Sequence, residues 1–110
     1  MRDEPLKIED LGIQNQKRVL KLSGPLTIST LCEFQNLIRS AAGSGLVLDF
    51  TSVPYVDSAG VGALVGAYVR YQKEGNSLTL AGVNERVLNT LKITQVESFF
   101  QYSDSVPHVA

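Results

Sequence analysis

The sequence predicts an α/β fold: a mixed β-sheet with an opening β-hairpin, then β-α-β-α-β units, flanked by helices. Three observations predict it. Leu46-Val47-Leu48-Asp49-Phe50 holds four apolar residues in five, which is the length and composition of a buried strand. From Val61 the period changes, and Val61, Leu64, Val65, Tyr68 and Tyr71 follow the spacing of one helix face. Upstream of both, two short apolar segments flank a polar turn, the pattern of a hairpin.

Met1 to Pro5 are polar and read as loose. Leu6 to Leu11, with Leu6 and Ile8 in alternation, reads as an edge strand. Asn15-Gln16-Lys17 reads as a turn, and Val19-Leu20-Lys21-Leu22 as the second strand, ended by Gly24-Pro25. Thr27 to Gly43 is the first expected helix. Thr30 and Glu33 have capping-box spacing, Leu31, Phe34, Leu37, Ile38 and Ala41 form an apolar face, and Gly43 suits a left-handed stop. Cys32 lies roughly opposite that face and reads as a bystander thiol. The central strand, a connection from Thr51 to Asp57 and the helix opened by Ser58 come next; Glu74-Gly75-Asn76 ends that helix. Leu78 to Val83 is a further strand, Asn84 caps a short helix through Val87, Leu88 and Leu91, and Phe99 to Tyr102 is the last strand. The order is β-β-α-β-α-β-α-β, in one domain with a core of about residues 5–102 and a tail over 103–110. Strand–helix–strand units from residue 46 onward favour parallel neighbours with right-handed crossovers. Functional groups on such sheets sit beyond the carboxyl ends of the strands, where Ser58 falls.

Composition narrows the function. The chain has 110 residues, 44% of them apolar and 19% charged, enough for one self-sufficient core. A formal net charge of −1 implies no direct nucleic-acid partner. No apolar stretch nears the ~20 residues of a bilayer span, so no membrane insertion is expected. No basic start followed by an apolar region suggests secretion, and a single cysteine forms no internal disulfide. A cytoplasmic domain is the expectation.

Most site chemistries find no support. A nucleophile elbow around Ser58 would need glycine where Val56 stands, and the lone histidine, His108, falls in the expected tail. Gly60-Val61-Gly62 with Gly66 is out of step with a dinucleotide loop. No cysteine or histidine cluster has metal-ligand spacing. Asp49 and Asp57 at one sheet end would in principle share a cation, although turn-stabilising and capping roles are far commoner for such carboxylates. Neither a cofactor nor a metal is expected, and the chain does not read as an enzyme.

What remains is Asp57-Ser58 at a helix start, beside Ala59, Gly62, Ala63 and Gly66, which are expected to project away from the apolar stripe. Each helical glycine costs about 1 kcal/mol relative to alanine, so two on one face suggest that something approaches the backbone closely, either the chain's own sheet packed tightly or a docked partner. Plain capping accounts for Asp57-Ser58 without any function. The functional alternative is a hydroxyl that accepts a phosphoryl group. A helix N-terminus tolerates the added anion, favouring each charge by about 0.3–1 kcal/mol, while a flat docking surface would gain about −2 charge.

Leu46-Val47-Leu48-Asp49-Phe50, followed by Val56-Asp57-Ser58-Ala59-Gly60-Val61-Gly62-Ala63-Leu64, resembles the signature of the STAS domain, most strongly that of bacterial anti-sigma factor antagonists. Gly24 with Leu26, and Leu78-Thr79-Leu80-Ala81-Gly82-Val83-Asn84, add to the resemblance, which covers about residues 5–102. It implies a mixed sheet flanked by helices and a partner-switching role. In that family the unphosphorylated antagonist binds an anti-sigma factor, often a serine kinase, and frees the sigma factor. The kinase phosphorylates the serine matching Ser58, a phosphatase resets the system, and ATP belongs to the kinase. The implied phosphorylation site is Ser58, and the implied partner-binding residues are Asp57, Ser58, Ala59, Gly60, Gly62, Ala63 and Gly66. The sequence departs from the family pattern at Pro25, at Thr94-Gln95-Val96, which lacks a glycine after the third helix, and after Tyr102, where a final helix is usual. An irregular tail or a homodimer would cover that part of the sheet.

Three functions compete. The first is a phosphorylation-controlled antagonist of an anti-sigma factor. The second is a STAS scaffold subunit of a lipid transporter or stress-signalling complex, with the same face docked permanently. The third is a small-ligand domain using the crevice at the strand ends.

Overall fold

The computed structural model describes residues 5–40 and 45–104. Among these residues five strands and three α-helices follow in the order β1 (Lys7–Gln14), β2 (Lys17–Ser23), α1 (Leu31–Ser40), β3 (Gly45–Ser52), α2 (Ser58–Lys73), β4 (Leu78–Ala81), α3 (Glu85–Ile93) and β5 (Gln101–Ser103), with a short 3-10 turn at Glu97–Phe99. The sheet order is β1-β2-β3-β4-β5. β1 is antiparallel to β2, and every later neighbour is parallel. This is the mixed sheet that the hairpin and the strand–helix alternation predict.

The hairpin turns on two residues, Asn15 and Gln16, both in the left-handed region at φ 52° and 67°. Two consecutive left-handed residues match the right-handed twist of the flanking strands. β1 runs past its expected end at Leu11 because a bulge lies between Asp10 and Ile13. There Gly12 takes φ 82°, its N–H donates to the Asp10 carboxylate at 2.9 Å, and Asp10 pairs with Arg18 at 2.6 Å. A bulge adds a residue without ending the strand, so simple alternation does not reveal it.

Register assembles the core. Leu20, Leu48 and Leu80 lie side by side on β2, β3 and β4, and Leu46 lies beside Leu78. With Leu22 and Phe50 they form the apolar face that receives Phe34 and Ile38 of α1, Val61, Leu64 and Tyr71 of α2, and Val87 and Leu91 of α3. Each fully buried side chain of this size contributes about 1.5–3 kcal/mol. Side chains alternate along a strand, so Val19, Val47 and Ala81 form a separate buried cluster on the opposite face. Burial raises the Tyr71 phenol above its ordinary pKa, with the Glu74 carboxylate adding to the effect.

α1 is shorter than expected. Thr27 to Thr30 form a turn that precedes it, and the Thr30 hydroxyl accepts from the Thr27 N–H at 2.9 Å and donates to the Pro25 carbonyl at 2.9 Å. The capping-box reading of Thr30 and Glu33 is therefore corrected, because that hydroxyl braces the preceding loop. Ala41 and Gly43, expected at the end of this helix, lie outside the described residues, as does His108. The last strand is also shifted: Glu97–Phe99 is helical and pairing begins at Gln101.

Both later helices end alike. After α2, Gly75 is left-handed and the N–H groups of Gly75 and Asn76 bond back to the carbonyls of Gln72 and Tyr71. After α3, Gln95 takes φ 63° and the N–H groups of Gln95 and Val96 reach Lys92 and Leu91 at 3.0 Å. These are the paired bonds of a Schellman ending, made in the second case without the usual glycine. A side chain in this region costs about 1–2 kcal/mol. Gln95→Gly is therefore expected to stabilise the fold by about 1 kcal/mol, read as a higher denaturant midpoint at unchanged slope.

Candidate functional site

Two loops beyond the carboxyl ends of β2 and β3 are laced together. The Gly24 N–H donates to the Ser52 carbonyl at 3.0 Å, the Leu26 N–H to Tyr55 at 3.3 Å, and the Asp57 N–H to Leu26 at 3.2 Å. Leu26 and Val56 thus form a parallel bridge, and both are buried with Val53. From the other side, the Asn84 amide donates to the Val53 and Pro54 carbonyls at 3.1 and 3.3 Å while its oxygen caps α3 through the Val87 N–H at 2.8 Å. The Arg86 guanidinium lies over the Tyr55 ring, 4.8 Å from its centre, a cation–π contact that adds a further brace. The segment delivering Ser58 is consequently held from both flanks.

Asp57 is the N-cap of α2. One carboxylate oxygen accepts from the Gly60 N–H at 2.8 Å, and the other accepts from the Ile28 N–H at 3.1 Å in the neighbouring loop. A charged acceptor on two backbone donors makes strong bonds, so a single side chain fixes both the helix mouth and the loop beside it. Asp49 is likewise employed locally, accepting from the Thr51 N–H at 2.9 Å and from the Thr51 hydroxyl. Among the described residues no group of three or more His, Cys, Asp or Glu side chains is arranged to hold a metal.

Ser58 occupies the first position of α2 and is exposed. Around it, Ala59 is half-buried, Gly62 and Gly66 are exposed, and a Cβ added to either glycine would meet nothing within 4 Å. The expected face is narrower than the spacing suggests. Ala63 is only 6% exposed and packs in the core with Ala67, and Gly60 is also buried. These small residues face the chain's own α1 and loops. A Cβ on Gly60 would sit 2.2 Å from the Leu26 carbonyl oxygen, so this glycine exists for the loop–helix contact.

Sequence reasoning missed Ile28. It is 69% exposed and is held next to Asp57 by its backbone bond to that carboxylate. An isolated isoleucine in a threonine- and serine-rich loop gives no periodic signal; only the 29-residue-distant bond to Asp57 places it beside Ser58. Thus exposed Ser58 and Gly62 and half-buried Ala59 lie on α2 beside a loop that carries exposed Ile28 and Ser29, tied to the helix mouth through Asp57.

A small α/β domain that displays a serine at a braced helix mouth is the class this geometry defines. The STAS domain family profile matches residues 8–109, and the chain belongs to that family. The anti-sigma-B factor antagonist of Bacillus subtilis (strain 168) is 33% identical over 61 residues, which is 56% of this chain and 56% of that protein. The chain therefore spans about half the length of that relative. The intermembrane phospholipid transport system binding protein MlaB of Escherichia coli (strain K12) is 29% identical over 85 residues, covering 77% of this chain and 88% of that protein. A crystal structure of a Thermotoga maritima protein superposes with a TM-score of 0.80 at 18% identity, covering 92% of this chain and 87% of that one, which matches the fold. Among the described residues no helix is long and apolar enough to cross a membrane.

Proposed function

We propose that this chain is an anti-sigma factor antagonist. It binds an anti-sigma factor through the surface around Ser58, and phosphorylation of Ser58 by a serine kinase releases the partner. Asp57, Gly60 and Ala63 serve that surface from beneath: Asp57 clamps it, and the two small residues let the loop and α1 pack close. Ser58, Ala59, Gly62, Gly66 and Ile28 are the groups a partner would touch. The observation that carries the reading is the exposure of Ser58 at the first turn of α2, next to Asp57, which clamps the helix mouth to the neighbouring loop.

The chemistry is a phosphoryl transfer in which the Ser58 Oγ bonds to the γ-phosphorus of ATP. The β–γ bridging bond breaks, ADP leaves and the hydroxyl proton passes to a base on the kinase. The product dianion sits at the positive end of α2, so the fold tolerates it. For a docked partner the same charge brings desolvation and steric intrusion, which favours release. The anti-sigma factor kinase from the same genome, incubated with this chain and ATP, is expected to place one phosphate on Ser58, located by mass spectrometry of the digested protein. Phosphate at another residue, or none with a kinase that binds the chain, would overturn the reading.

A second reading is a permanently docked subunit of a lipid-transport assembly. Its support is the longer reach of the likeness to MlaB, 85 residues against 61 for the antagonist. Co-purification with a membrane ATPase that persists in Ser58→Asp would favour it.

A further inference from the structure

α1 and α2 do not close completely against one another. Between them lies a cleft of about 160 Å³, lined by Phe34, Ile38, Ala63 and Ala67 together with Gln35, Arg39 and Arg70. An apolar cavity of about 150 Å³ holds a benzene ring, so the cleft is sized for one apolar side chain. Its lining contains no carboxylate. Both arginines are exposed, and neither is ion-paired with a described residue; the only described ion pair is Arg18 with Asp10. Each arginine stands in the last turn of its helix, where the dipole favours a cation. That accounts for two positive charges but not for both flanking the same apolar floor. The adjoining surface carries Lys73 and Glu74, which offset each other, and shares Arg70 with the cleft.

We infer that the α1–α2 cleft is a second docking point for a protein partner, taking one aromatic or leucine-like side chain flanked by carboxylates. The apolar floor desolvates the anchor, and the two guanidiniums hold the acids on either side of it. Buried anchors with a polar rim are the usual energetic centre of an interface, and bidentate arginine–carboxylate pairing supplies the orientation. A protein segment fits better than a free acid because the cleft is partly open and holds only one ring-sized group, which leaves the flanking acids to come from the same chain. The inference does not need Ser58 to be phosphorylated, although the cleft shares Gly66 and Ala63 with the surface proposed above. Gly66, at the lip, follows Ser58 by eight residues on the same helix, about 12 Å away.

The test is nuclear magnetic resonance titration of the labelled full chain at low salt. The probes are a helical peptide carrying Glu-x-x-Phe-x-x-Glu, the same peptide with both acids as glutamine, and free 3-phenylpropionate. The acidic peptide is expected to shift the resonances of Ile38, Ala63, Ala67 and Arg70. It should bind at least tenfold tighter than the glutamine peptide and tenfold tighter than the free acid. Arg39→Gln or Arg70→Gln, each an exposed change, should remove most of the preference for acid, and Ser58→Asp should leave it intact. Equal binding by the two peptides, equal binding by free 3-phenylpropionate, or no shift at the cleft would each overturn the inference. Loss of cleft binding in Ser58→Asp would also overturn its independence from the helix mouth.

Discussion

Gly60→Ala is expected to lower the stability of the domain by about 2–3 kcal/mol, the cost of forcing extra atoms into a packed site. The added Cβ would lie 2.2 Å from the Leu26 carbonyl oxygen and 2.9 Å from its carbon, and neither is the end of a flexible side chain. Relief requires the β2–α1 loop to move off α2. The same displacement breaks the Leu26–Val56 bridge and stretches the bonds from Asp57 to Gly60 and Ile28. For a domain of this size each kcal/mol shifts the melting temperature by roughly 4–8 °C, so the variant should melt well below the parent. Gly62→Ala is the control on the same helix. Its Cβ meets open space, and helix propensity alone should raise stability by up to about 1 kcal/mol. Denaturant unfolding of the pair separates the two glycines; equal stability of Gly60→Ala and the parent would contradict the contact.

Ser58→Asp is expected to weaken binding to the proposed anti-sigma factor partner by about 100-fold or more, about 2.7 kcal/mol, while stability stays within about 0.5 kcal/mol. The binding loss follows from placing a second carboxylate beside Asp57 in the middle of an apolar contact, where like or unpaired charge costs several kcal/mol. The fold is spared because the new side chain stands exposed at a helix N-terminus that favours negative charge. Ser58→Ala should bind as the parent does and resist the kinase. Calorimetry with purified partner reads the first quantity and thermal unfolding the second. Full-strength binding by Ser58→Asp would remove the switch and favour permanent docking.

The sheet was legible because its signals are local. The apolar run at 46–50, the turn at Asn15-Gln16 and the cap at Asn84 each announce themselves within a few residues, and each forms as expected. The mouth of α2 was legible for the same reason: Asp57 does cap, through the Gly60 N–H. What sequence could not supply was which of the small residues on α2 face outward. Gly60, Ala63 and Ala67 face the loop and α1, whereas Gly62 and Gly66 face open space, and all five are simply small. Tertiary packing decides between them. Thr30 illustrates the opposite failure, since correct capping spacing was overridden by a hydroxyl with a nearer partner in the loop behind it.

Both oxygens of Asp57 hold backbone N–H groups, and no bond joins that carboxylate to its neighbour's hydroxyl. Under the proposed function the kinase brings its own proton acceptor, because among the described residues no side chain is hydrogen-bonded to the Ser58 hydroxyl. Fidelity of the proposed modification then rests on which kinase can seat itself against the helix mouth. Signalling circuits built from copies of this domain could then be insulated from one another by surface shape alone, with the chemical step left unchanged.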